Sequence, residues 1–127
     1  MPNHRVLIVD DEMSNTQLFS MMLELEGFRP VSAHDVNSAL AELHKARPDV
    51  MVVDVMLPGR SGLELCRLVR GELGMPDLPI VIVSAKTQLA DVQAGMEAGA
   101  NVYLVKPVSK AELLGAVRQA LGEAPAA

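Results

Sequence analysis

The stretch that most constrains this chain is Val50-Met51-Val52-Val53-Asp54: four consecutive apolar residues, three of them β-branched, closed by an acid. Unbroken runs of this kind suit strands covered on both faces, as in a parallel sheet, because a strand with one wet face alternates apolar and polar residues. Three further runs have the same form: Val6-Leu7-Ile8-Val9, Ile80-Val81-Ile82-Val83 and Val102-Tyr103-Leu104-Val105. Each is closed by polar residues, namely Asp10 with Asp11, then Ser84, then Lys106. In an open parallel sheet such endings share the carboxyl edge, where these folds bind ligands. Three carboxylates, a hydroxyl and an ammonium are therefore expected to converge beside Asp54.

The segments between the runs read as helices. A first helix is expected over residues 14–26, with Leu18, Phe19, Met22, Leu23 and Leu25 as its apolar stripe and Gly27 as its stop. Residues 29–33 form a shorter, less apolar strand suited to a sheet edge. Asp35 can cap a second helix that turns Val36, Ala39, Leu40 and Leu43 inward and ends before Pro48. After the loop Pro58-Gly59-Arg60-Ser61-Gly62, the Ser61 and Glu64 pair has the spacing of a capping box for a third helix, whose inner face carries Leu65, Cys66 and Val69. A fourth helix over 89–98 is rich in Ala and Gly, so loose docking is expected. Ser109 and Glu112 form a second capping box, and Leu113, Leu114, Val117 and Leu121 make the last stripe.

Strand and helix thus alternate five times, which argues an α/β domain: a doubly wound (βα)5 fold with a five-stranded parallel sheet. The weak second strand at an edge fits the flavodoxin-like order 2-1-3-4-5. Residues 1–121 read as one domain, and 122–127 as a tail or the start of a linker.

Composition narrows the function classes. A formal net charge of -5 argues against nucleic-acid binding by this domain, since phosphate contacts need a basic face. Cys66 is the sole cysteine, which excludes an internal disulfide and fits a reducing compartment. The first apolar run is too short for a signal peptide or a membrane span. The expectation is a soluble cytoplasmic domain.

In the order 2-1-3-4-5 the strands that end at Asp10 and Asp54 are neighbours. Two carboxylates roughly 5 Å apart repel by about 3 kcal/mol at an effective dielectric near 20, unless a cation neutralises them. The donors are all oxygens, which suits Mg²⁺ or Mn²⁺ better than Zn²⁺. Taken singly, Asp11 reads equally as a helix cap and Asp10 as a turn acid; taken with Asp54, the metal reading is favoured. Lys106 is either a solvated strand end or a partner of Asp54 and of a bound anion. Ser84 either closes its strand on a backbone group or donates to an oxyanion. Together they compose a phosphoryl-transfer site: a carboxylate nucleophile, a divalent cation, a lysine and a hydroxyl. Neither a Walker-type loop nor a Gly-x-Gly-x-x-Gly occurs, which disfavours nucleotide binding.

Asp10-Asp11, Asp54, Ser84-Ala85 and Lys106-Pro107, each after its strand, resemble the receiver domain of two-component response regulators. So do Asp54-Val55-Met56-Leu57-Pro58-Gly59 and Gly99-Ala100-Asn101-Val102-Tyr103-Leu104-Val105-Lys106-Pro107, and the resemblance spans about residues 5–121. It implies that Asp54 accepts a phosphoryl group from a histidine kinase or a phosphotransfer protein. It also implies that Asp11 ligates Mg²⁺ directly, Asp10 mainly through water, and the Met56 carbonyl completes the set. Lys106 would neutralise the phosphoryl group and Ser84 would bond it on activation. Tyr103 would be the switch aromatic, and the Lys106-Pro107 bond would be cis. Met56 and Lys86 stand where the family tunes phosphate lifetime, and the first helix, including Asn15, where it docks kinases. Asn101 replaces a frequent acid, Val108 a frequent aromatic, and Ser84 the more usual threonine.

Three alternatives are weaker. A degenerate receiver acting as a phosphorylation-independent interaction module would lack an acid or Lys106. An aspartate phosphatase needs a second acid where Met56 stands. A flavin binder would be repelled by Asp10-Asp11-Glu12.

Overall fold

The computed structural model describes residues 4–122. Its elements alternate without exception: β1 (Arg5–Val9), α1 (Met13–Glu24), β2 (Arg29–Ala33), α2 (Val36–Lys45), β3 (Val50–Val53), α3 (Gly62–Arg70), β4 (Ile80–Ser84), α4 (Leu89–Glu97), β5 (Val102–Val105) and α5 (Lys110–Ala120). All four strand pairings are parallel and the order is β2-β1-β3-β4-β5, the doubly wound arrangement expected. The tail over 123–127 lies outside the described residues.

Successive side chains of a strand point to opposite faces, so each central strand feeds two cores. Val6, Ile8, Val50, Val52, Val81 and Val83 pack with Phe19 and Leu23 of α1 and with Leu113 and Val117 of α5. Leu7, Val9, Met51, Val53, Ile80 and Ile82 pack on the other face with α2, α3 and Ala98. Burial on both sides is why the runs in β1, β3 and β4 are unbroken.

Four details differ from expectation. β5 takes the edge place that the order 2-1-3-4-5 gives it, but its run is only half-buried where a strand covered on both faces is expected. α1 spans Met13–Glu24, and Leu18 and Leu25 are exposed; Thr16, Phe19 and Leu23 are its buried residues. At α3, Ser61 caps by accepting from the Leu63 amide, while Glu64 turns to Arg60 instead of closing a capping box. Asn15 is half-buried rather than a free surface position. Elsewhere Asp35 and Ser109 cap α2 and α5 in full capping boxes, Asp35 with Ser38 and Ser109 with Glu112. Among the described residues no helix is long and apolar enough to cross a membrane.

Candidate functional site

Register brings the strand ends together. Val9 pairs with Val53, so Asp10 and Asp54 leave the sheet side by side. Val53 pairs with Ile82 and Ser84 with Val105, which sets Ser84 and Lys106 on the same edge. The Lys106-Pro107 peptide bond is cis.

Asp54 is 7% exposed and Asp10 3%, so both carboxylates are largely out of water. Asp54 Oδ1 accepts from the Met56 amide at 3.0 Å, and Asp54 Oδ2 accepts from Lys106 Nζ at 2.8 Å. The same ammonium donates to Asp10 Oδ2 at 3.0 Å. Asp10 Oδ1 accepts from the Glu12 amide at 2.9 Å. Burial alone would pull the Lys106 pKa down; its hydrogen bonds to Asp54 and Asp10, with their charges, outweigh that and leave it above the ordinary lysine value. The lysine is therefore a fixed cation between two acids.

Carboxylate oxygens of Asp10, Asp11 and Asp54 lie within 4.8 Å of one another. Asp11 is exposed where the other two are buried, and it opens onto a cleft of about 170 Å³ that Asp10, Met13, Thr16 and Ser32 also line. Three carboxylates at this spacing, with no nitrogen or sulfur donor in the group, fit a hard divalent cation. Ser84 is fully buried, and its Oγ accepts from the Lys86 amide at 3.1 Å. Tyr103 is half-buried and its hydroxyl donates to the Lys86 carbonyl at 2.9 Å.

One contributor escaped sequence reasoning. Asn15 Nδ2 donates to Asp10 Oδ2 at 3.3 Å. It sits in the first turn of α1, where side chains lean back toward the helix N-terminus and so toward the strand end. Its spacing of five from Asp10 was the available signal.

Comparison with known proteins decides the family. The response regulator receiver domain matches residues 6–118. The chain belongs to that family. Receiver domains are signalling switches for which phosphorylation and Mg²⁺ binding are standard. This receiver is 39% identical over 117 residues to the DNA-binding response regulator MtrA of Mycobacterium leprae, covering 92% of this chain and 51% of that one. It is 36% identical over 114 residues to the phosphate regulon transcriptional regulatory protein PhoB of Escherichia coli, covering 90% and 50%. The chain thus spans about half the length of these curated relatives. Its backbone superposes on the chemotaxis response regulator CheY4 of Vibrio cholerae with a TM-score of 0.88 at 34% identity, covering 94% and 99% of the two chains.

Proposed function

We propose that Asp54 is the phosphoacceptor of this receiver, in a reaction that needs Mg²⁺. The carrying observation is a buried carboxylate fixed at both oxygens, by the Met56 amide and Lys106 Nζ, beside two further acids. Asp54 would attack the phosphorus of a histidine-kinase phosphohistidine; the P–N bond breaks, its electron pair returns to the imidazole, and an acyl phosphate remains. Lys106 holds charge balance on the acceptor before transfer and neutralises the phosphoryl oxygens after it. Asp10, Asp11 and Asp54, with the Met56 carbonyl, would hold the cation, which when bound offsets charge developing on those oxygens. Ser84 exchanges its Lys86 bond for the phosphoryl group, and Tyr103 follows as the switch aromatic. The chain acts on itself and turns over no external substrate.

The donor is proposed to dock along α1, where a groove of about 500 Å³ lined by Gln17, Met21 and Leu25 shares Thr16 and Ser32 with the acidic cleft. The receiver unit is taken as residues 1–121, working in the cytoplasm on a downstream protein or output domain.

Intact mass after incubation with a small acyl-phosphate donor tests the reading. One added phosphoryl group that requires Mg²⁺ and disappears in Asp54→Asn is expected. No gain from the folded chain would leave a phosphorylation-independent interaction module in its place.

A further inference from the structure

Gly95 is the only buried residue of α4, while Leu89 and Met96 of the same helix face outward. Glycine is among the poorest residues for a helix interior, so its presence there needs a compensating reason. The reason on view is the Tyr103 ring. A methyl carbon at position 95 would stand 2.8 Å from Tyr103 Cδ2, 3.0 Å from Tyr103 Cε2 and 3.0 Å from Ile82 Cδ1. The isoleucine methyl ends a flexible chain and can give. The aromatic ring and α4 cannot both keep their places with that methyl between them, and β5 is an edge strand from which a side chain can swing outward.

From this seat the Tyr103 hydroxyl donates to the Lys86 carbonyl, and the Lys86 amide donates to Ser84 Oγ. A continuous path of contacts therefore runs from α4 through Tyr103 and the turn after β4 to the buried hydroxyl at the site. We infer that Gly95 is a positioning residue: its missing side chain seats Tyr103 against α4, and that seat ties the placement of α4 to Ser84. The link to signalling rests on the reading above, in which Ser84 bonds the phosphoryl group on Asp54.

Tyr103 is the single tyrosine and the chain has no tryptophan, so near-ultraviolet emission reports this ring alone. In Gly95→Ala, acrylamide quenching of that emission should rise toward the value for free tyrosine amide. Exchange of the Lys86 amide should quicken in Gly95→Ala and in Tyr103→Phe alike. The urea midpoint supplies the control: Gly95→Ala should raise it in a Tyr103→Ala background, where helix propensity acts alone, and not in the wild-type background. Unchanged quenching, an unmoved Lys86 amide, or an equal midpoint shift in both backgrounds would each overturn the inference. Should Gly95→Ala fail to fold, Gly95→Ala/Tyr103→Ala decides, since folding of the double variant supports the clash and its failure refutes it. None of these readouts requires phosphorylation, so a failure of the Asp54 reading, seen by mass, stays distinct from a failure of this one.

Discussion

Replacing Lys106 with methionine keeps the stem of the side chain and removes the cation that two buried carboxylates share. Lys106 Nζ lies 2.8 Å from Asp54 and 3.0 Å from Asp10, and oxygens of these acids come within 4.8 Å of each other. At that separation, with an effective dielectric of about 20, two carboxylates repel by roughly 3.5 kcal/mol. Removing one member of a buried ion pair generally costs about 3–5 kcal/mol. Because 19% of the lysine side chain is exposed, some water reaches the site. The expected loss is therefore at the low end, about 3 kcal/mol, against a total of about 5–15 kcal/mol for an ordinary domain. Urea denaturation of wild type, Lys106→Met, Asp10→Asn and the double variant, with chelator and then with Mg²⁺, reads this directly. Asp10→Asn should recover most of the loss in the Lys106→Met background, and Mg²⁺ should stabilise Lys106→Met more than wild type, since the vacated charge raises affinity for a cation. Additivity of the two substitutions within about 0.5 kcal/mol, or equal stabilisation by Mg²⁺, would refute the reasoning.

Further outcomes follow from the same geometry. A methyl group at Gly62 would overlap the Asp54 carbonyl oxygen and sit 2.9 Å from its carbonyl carbon, so either the Asp54 backbone or α3 must shift. Gly62→Ala should cost about 1–3 kcal/mol and impair phosphoryl loading by mass, whereas full loading would show that α3 yields instead. Burial pushes the Cys66 thiol from its ordinary 9.0 up to about 12, so the unfolded chain ionises first and stability falls as pH rises through that window. At about pH 10.5 the thiol's share of that loss is about 2 kcal/mol, and Cys66→Ala should flatten the pH dependence by that amount; equal slopes would contradict it. Arg70 donates to the carbonyls of Met75, Leu78 and Gly99 and to Asn101 Oδ1. Arg70→Lys keeps the charge but not the fork, and should lower the urea-derived stability by about 2–3 kcal/mol; a loss under about 0.5 kcal/mol would show those bonds to be expendable.

The runs in β1, β3 and β4 were legible because a strand covered on both faces has no polar alternation to blur it. Their polar endings followed from the chain direction that a parallel sheet imposes, which is why Asp10, Asp54, Ser84 and Lys106 group together from the sequence alone. Caps at Asp35 and Ser109 were legible for the same reason, since their partners lie within one turn. What depends on packing between elements, or on a choice between competing local partners, was not. β5 carries a run as apolar as a central strand's and is only half-buried, because nothing in the run itself tells how much of an edge strand the helices will cover. Ser61 and Glu64 have the spacing of a capping box, but Arg60 draws the glutamate away. Asn15 reads as docking surface, yet its side chain donates to Asp10 because the first turn of α1 stands beside that strand end. Arg70 finds its acceptors, and Gly95 its aromatic occupant, only once α3, α4 and β5 are packed, since the space each fills belongs to the assembled layers and to no single segment.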